Sequence, residues 1–293
     1  MATTPNLLAG DQAAGMKIAI QGEFGSFSHE AAIKLVADAA IVPFSLSADA
    51  FAALANGTVE AAVIPIENSL AGSVSEHFDL LLTHNVLVER ETLLRIKHNL
   101  IAISGAATSE IDRVFSHPVA LAQCRRFLAN HPRMEAFAFY DTAGSVKQLV
   151  ELRDRHAAAI ASEAAAYHYG AQILESGIED NPENFTRFFL VRRAADTVVD
   201  PRSKKISLAF SVENRPGSLV AALSQLSALG TNLTKIESRP VHGKPWEYIF
   251  YVDCQIHSSE EGSRALQALA SHCSMVKELG RYREALLPAR ARS

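Results

Sequence analysis

From Met16 onward, short apolar runs alternate with segments whose apolar residues recur every three or four positions. The runs at 17–20, 61–66, 86–94, 95–103, 113–115, 136–139 and 157–161 predict strands, and the amphipathic stretches at 28–37, 48–56, 120–128 and 145–152 predict helices. This alternation predicts an α/β body with mostly parallel sheets and helices on both faces, in which ligands gather where strands end and helices begin. The adjacent runs 86–94 and 95–103 read as a crossover between two lobes. A later apolar strand at 184–191 would bring the chain back, leaving a cleft between the lobes.

After Asp200-Pro201 the order becomes strand, helix, strand, strand, helix, strand over 204–213, 218–229, 232–240, 246–255, 259–271 and 274–280. That is one ferredoxin-like βαββαβ unit, small enough to leave a sheet edge or face for a second copy to cover. The expected division is a disordered tail at 1–15 and a body at 16–195, its lobes being about 16–94 plus 185–195 and 95–184. A linker at 196–203, a regulatory-sized module at 204–282 and a tail at 283–293 follow. Met16 is an alternative start.

Composition narrows the function. The 293 residues suit about two domains, and 48% hydrophobic with 20% charged residues is an ordinary globular balance. A net charge of −4 without a long basic run argues against nucleic acid or a membrane surface as partner and favours a small molecule. Cys124, Cys254 and Cys273 are odd in number and lack metal-ligand spacing, so reduced thiols and a cytoplasmic setting are expected. There is no Gly-x-Ser-x-Gly elbow, His-Glu-x-x-His, Cys-x-x-Cys, Gly-x-Gly-x-x-Gly or Walker loop, and no metal or cofactor is expected. What remains is a cleft of neutral donors, suited to binding an anion and assisting a leaving group.

The strand ending the body carries Thr186, Arg187 and Phe188. Period-two alternation puts Thr186 and Phe188 on one face and Arg187 on the other. Strand-to-helix corners occur at Gly25-Ser26-Phe27-Ser28, Asn68-Ser69, Asp141-Thr142-Ala143-Gly144-Ser145 and Ser162-Glu163. Ser28, Ser69, Ser145 and Ser162 each read first as a helix N-cap, but free N–H groups at such corners favour anions, and the number of corners points to an anionic ligand. Glu67 reads as the structural partner of a cation such as Arg187. Ser116 ends another strand before a helix containing Gln123, and His117 reads as a surface or capping histidine. A ligand-holding protein without catalysis is the rival class.

In their order, these motifs resemble the prephenate dehydratases with a C-terminal ACT domain, from Met16 to about Tyr282. The resemblance rests on Gly25-Ser26-Phe27-Ser28, Pro65-Ile66-Glu67-Asn68-Ser69, Gly72-Ser73-Val74, Ser116-His117-Pro118 with Ala122-Gln123-Cys124, and Thr186-Arg187-Phe188. The second half adds Arg215-Pro216-Gly217-Ser218-Leu219 and Lys235-Ile236-Glu237-Ser238-Arg239-Pro240. It implies a two-lobed, periplasmic-binding-protein-like catalytic domain followed by an ACT domain. The implied reaction is cofactor-free conversion of prephenate to phenylpyruvate, water and carbon dioxide, with arogenate as the close alternative substrate. Thr186 is the implied catalytic group, assisted by Asn68, Ser116 and Gln123. Substrate contacts are expected from Ser26, Ser28, Ser69, Thr142, Gly144, Ser145, Arg187 and Phe188.

Feedback by phenylalanine is implied at Gly217, Ser218, Leu219, Asn232, Leu233, Glu237 and Ser238, across ACT domains of a homodimer or homotetramer. Two positions depart from the family pattern. Val119 replaces a common glutamine, and Ser218 stands in a Gly-Ala-Leu motif. A fused helical chorismate mutase domain ahead of Met16 is not expected for lack of room.

Overall fold

The computed structural model describes residues 15–241, 243–244 and 246–286. Apart from residues 15 and 283–286, the two expected tails lie outside the described residues.

The first lobe is built from β1 (Lys17–Gln21), α1 (Phe27–Leu35), β2 (Ala40–Phe44), α2 (Ser47–Ala55), β3 (Ala61–Asn68), the short β4 (Gly72–Ser73), α3 (Ser75–Thr83) and β5 (Val86–Arg95). Ile18, Ala19 and Ile20 are all fully buried, as are Ala61, Ala62 and Val63, because both faces of these strands are covered. Continuous apolar runs of this kind suit parallel strands, and β1 pairs in parallel with both β2 and β3.

The second lobe comprises β6 (Asn99–Ala102), β7 (Arg113–Ser116), α4 (Pro118–Gln123), α5 (Arg125–Asn130), β8 (Glu135–Ala138), α6 (Thr142–Leu152), β9 (Ala157–Ala161), α7 (Glu163–Tyr169) and β10 (Gln172–Ser176), with sheet order β10-β6-β9-β7-β8. The chain then returns as β11 (Phe185–Arg193), antiparallel between β3 and β5. Two crossings, β5 to β6 and β10 to β11, therefore join the lobes.

Both sheets are mixed rather than mostly parallel, since β11 in one and β6 in the other run against their neighbours. The stretch read as one helix at 120–128 breaks at Cys124, whose φ of −120° and ψ of 28° leave the helical region. The helix expected from 145 starts three residues earlier because Asp141 caps it.

The C-terminal module runs β12 (Lys205–Ser211), α8 (Ser218–Ala228), β13 (Asn232–Pro240), β14 (Tyr248–Gln255), α9 (Ser259–Ala270) and β15 (Met275–Tyr282). Its strands, ordered β13-β14-β12-β15, extend the first lobe's sheet to ten strands through a parallel contact of Gly280 with Val88. One face packs Leu208, Phe210 and Val252 under α8 and α9. The other does not wait for a second copy. Ala209, Tyr251, Leu279 and Tyr282 enter the first lobe's core beside Phe78 and Phe189. The inner face of β12, β14 and β15 mixes these apolar residues with Lys205, Ser207 and Asp253, and the first lobe covers the face that the sequence left open.

Candidate active site

A cavity of about 440 Å³ lies between the lobes, where β1, β3 and β11 end against α4 and the start of α6. Thr186 and Phe188 line it together, as strand alternation requires, even though a bulge interrupts the β11–β3 register between Arg187 and Phe188. Asn68 is the register partner of Thr186.

The hydrogen bonds here have a determined direction. The backbone N–H groups of Leu70 and Ala71 donate to Asn68 Oδ1 at 3.0 and 2.8 Å, which fixes the amide orientation. Asn68 Nδ2 therefore donates to Thr186 Oγ1 at 2.9 Å and to Asn184 Oδ1 at 2.7 Å. Asn184 Nδ2 in turn donates to Gln123 Oε1 at 2.9 Å, and His98 Nε2 reaches the same oxygen at 2.9 Å. That oxygen can only accept, so His98 carries its proton on Nε2. Burial lowers the His98 pKa below its ordinary value, which keeps the imidazole neutral. Thr186 is left accepting from Asn68 with its own proton available to the cavity.

Among the described residues that line the cavity there is no lysine or arginine. An anion must be met by dipoles. The first turn of α1, capped by Ser26 and followed by Ser28, lines the cavity and offers backbone N–H groups that have no partner inside the helix. At α6 the equivalent place is taken, because Asp141 Oδ1 accepts from Gly144 N at 2.7 Å. Burial raises the Asp141 pKa, against the pull of these backbone donors. Helix α4 starts at the cavity with His117 as its cap, its Nδ1 accepting from Val119 N.

Several expected residues lie elsewhere. Ser116 is fully buried and donates to Ile160 O at 2.6 Å, away from the cavity lining. Ser69 bonds Glu183 O and Phe185 N, and Ser145 bonds Thr142 O. Neither caps a helix. Ser28 sits inside α1, whose cap is Ser26, and only Ser162 of the four corner serines is a cap. Thr142 lines the cavity; Gly144 does not.

Arg187 points to the opposite side and pairs with Glu91 and Asp253, not Glu67. Glu67 instead lies 2.5 Å from Lys235. His98, Asn184, Tyr140 and Asp141 were not among the expected site residues. Asn184 could have been suspected from its place two residues before Thr186, and Asp141 from opening the corner at 141–145, whereas nothing in the sequence marks His98 or Tyr140.

The lobes are also tied together beside the cavity. Glu23, on the loop after β1, accepts from Tyr140 Oη at 2.9 Å and pairs with Lys147 at 3.1 Å. Burial, with help from Glu23, pushes the Tyr140 pKa up to about 12. Ser162 Oγ donates to Gly25 O at 2.5 Å. Gly25 has φ +79°, and a Cβ there would fall 2.5 Å from the Ala165 backbone, so glycine permits this approach of the lobes.

In the module, Gly217 precedes α8 with φ +84°, and Ser218 and Leu219 begin its first turn. Asn232 donates to Gln255, and Leu233 packs toward the helices. Glu237 is bonded to Ser73 of the first lobe, while Ser238 is exposed. Those two neighbours face opposite ways. Among the described residues no cluster of three or more His, Cys, Asp or Glu side chains could hold a metal ion, and no helix is long and apolar enough to cross a membrane.

The prephenate dehydratase family matches residues 18–196. "Arogenate dehydratase/prephenate dehydratase 2, chloroplastic" of Arabidopsis thaliana is 38% identical over 277 residues, covering 91% of this chain and 72% of that protein. A prephenate dehydratase from Arthrobacter aurescens, solved in complex with L-phenylalanine, is 31% identical with a TM-score of 0.83, covering 92% of this chain and 90% of that one. A structure described as a novel type of quorum-quenching acylase is 30% identical, also with a TM-score of 0.83, covering 91% and 97%.

Proposed function

The chain belongs to the prephenate dehydratase family, and on that footing we propose that its cleft converts prephenate to phenylpyruvate, water and carbon dioxide. The observation that carries this reading is the directed bond from Asn68 to Thr186, which leaves a hydroxyl proton facing a cavity whose described lining holds no lysine or arginine. The ring C–O bond breaks as its oxygen leaves, and the bond to the ring carboxylate breaks to release carbon dioxide. The electron pair freed there completes the aromatic ring. One proton is consumed when the departing hydroxide becomes water, and solvent supplies it. Thr186 is too weak an acid to give its proton up, so its part is an oriented hydrogen bond to the leaving oxygen, strongest as charge develops. Asn68, Gln123 and Asn184 orient it. The first turn of α1, with Ser26 and Ser28, receives a carboxylate, and Phe188 is the apolar wall. Arogenate has the same leaving group, and a relative's name includes both activities.

The acylase likeness supplies a second reading, in which Thr186 would be a nucleophile. A nucleophile needs a base on its proton. Here the hydroxyl oxygen meets an amide donor instead, which favours the dehydratase.

For the module we propose an ACT role, with phenylalanine as inhibitor near Gly217–Leu219 and the start of β13. Support comes from its βαββαβ order and from the relative solved with L-phenylalanine. The outer edge of β13, the last strand of the sheet, is the surface on which a homodimer is expected.

The deciding experiment follows phenylpyruvate formed from prephenate, with and without phenylalanine. Wild type is expected to turn over and to be inhibited, and Thr186→Val to lose about 10²–10³-fold in kcat. Undiminished turnover by Thr186→Val would remove the donor role.

A further inference from the structure

We propose that the C-terminal module sets the geometry of the Asn68 and Thr186 pair by gripping the residues beside it, making Glu67 and Arg187 positioning residues. The proposal rests on the reading of that pair as the reacting site. In the β3–β11 register Thr186 opposes Asn68 and Arg187 opposes Glu67. Strand alternation turns the first pair into the cavity and the second toward the module.

Each member of the second pair is held from the module. Lys235 Nζ on β13 lies 2.5 Å from Glu67 and 3.2 Å from Glu237. It also donates to Ser73 Oγ at 3.1 Å, and Ser73 is part of the cavity wall and bonded to Glu237 as well. Arg187 pairs through Nε with Glu91 at 2.6 Å and through Nη1 with Asp253 at 2.5 Å, and Nη2 donates to Tyr282 Oη at 2.9 Å. Lys205 closes this second cluster on Glu91 at 3.2 Å.

Arg187, Glu91 and Asp253 have side-chain exposures of 7, 2 and 6%. Buried charges of this kind are a costly way to gain stability, since apolar residues of similar volume do as well, and fixing a register is their best-attested use. A register needs fixing here. β11 keeps continuous register with β5 from Phe185 to Leu190, but the bulge between Arg187 and Phe188 interrupts its pairing with β3, so the ladder is weakest on the edge that sets Thr186 against Asn68. With Arg187 tied to β14 and β15, and Glu67 to β13, the two strand ends that carry Asn68 and Thr186 are referenced to one rigid sheet.

The test uses the full chain with Lys235→Met, Asp253→Asn, and the exchange Glu67→Lys with Lys235→Glu. None of these side chains lines the cavity. An error of about 1 Å in placing a donor costs about 10²-fold, so kcat on prephenate is expected to fall by about 10-fold or more with KM changed by less than about 3-fold. The exchange restores the pair between β3 and β13 but sets the new carboxylate beside Glu237, so it is expected to recover part of the loss. Rates are taken well below each variant's thermal midpoint.

The proposal is overturned if both single variants keep wild-type kcat. It is equally overturned if kcat and KM worsen together with the midpoint and the exchange restores nothing. A second readout is independent of turnover: the ¹⁵N side-chain amide resonance of Asn68, assigned by its loss in Asn68→Asp, should shift in Lys235→Met and return in the exchange. An unmoved resonance also overturns the proposal. A wild-type chain inactive on prephenate refutes the function reading instead, and the resonance still decides this one.

Discussion

Two backbone N–H groups, at Leu70 and Ala71, decide the polarity of the whole polar chain from Asn68 to His98. Because they occupy Asn68 Oδ1, the amide nitrogen must face Thr186, and each later donor follows. Asn68→Asp reverses this at neutral pH: on the proposed reaction, the carboxylate competes for the Thr186 proton offered to the leaving oxygen. Its kcat is expected to fall by about 10²–10³-fold and to recover in part on acidification as the carboxyl protonates, measured as a pH–rate profile against wild type. Buried histidines make a second residue-scale prediction. His77 is fully buried between Ser47 Oγ at 2.6 Å and Pro65 O at 2.5 Å. The Pro65 carbonyl can only accept, so His77 donates from Nδ1 and accepts from Ser47 at Nε2. Burial lowers its pKa, as it does for His98. The unfolded chain then binds protons near pH 6.5 that the folded chain does not, so stability is full above that pH and falls as pH drops below it. Each such histidine steepens the fall by up to about 1.4 kcal/mol per pH unit. Urea midpoints between pH 7.5 and 5 should show this, and His77→Gln should flatten the slope.

At the scale of elements, β5 and β15 meet where a side chain would not fit. Gly280 has φ +154°, and a Cβ there would lie 2.2 Å from Val88 O. Gly280→Ala must part the two strands, so its thermal midpoint should drop by several degrees, on the order of 1–3 kcal/mol of strain; an unchanged midpoint would mean that the strands need not touch. This junction was not legible in the sequence, where Leu279-Gly280-Arg281 looks like the end of a strand before a turn. The βαββαβ order was legible, because each of its strands and helices keeps a clean period. So were β1, β3 and β9, whose short apolar runs suit a buried strand. Helix α3 and strands β2 and β10 are not marked by the pattern, and α7 is marked only at its Ser162-Glu163 start, since these elements are short and carry charges, histidines, a proline or alanines that blur the period. The same division holds for the site. Asn68, Gln123 and Thr186 stand out as polar groups at the ends of apolar elements. Ser116 stands out equally, yet its hydroxyl turns to Ile160 O, a choice that only packing makes. Pairing Arg187 with Glu67 was right about the register and wrong about the bond. Both side chains leave the strand on the module's side, where Asp253 and Lys235 outcompete each for the other.

For the whole molecule, the decisive fact is that one core crosses the boundary at 196–203. Phe78 meets the Tyr251 ring at 4.8 Å and Phe189 meets that of Tyr282 at 5.4 Å, so the module's inner face and the first lobe complete each other. Domains joined only by a linker unfold separately, whereas a shared apolar core makes unfolding cooperative. The full chain is therefore expected to give one calorimetric transition over the first lobe and the module together. A chain ending at Asp200 exposes Phe78 and Phe189, and it strips Asp253, Tyr282 and Lys205 from the Arg187 and Glu91 pair. Its thermal midpoint should fall well below that of the full chain, and it should associate in sedimentation through the uncovered face. Two separate transitions in the full chain, with the shortened chain melting at the temperature of one of them, would show that the module is only tethered. In the cooperative case a ligand seated on α8 or β13 that displaces the module's sheet pulls on Arg187 through buried ion pairs and on Glu67 through its partly exposed pair with Lys235, each one residue from the Thr186 and Asn68 pair.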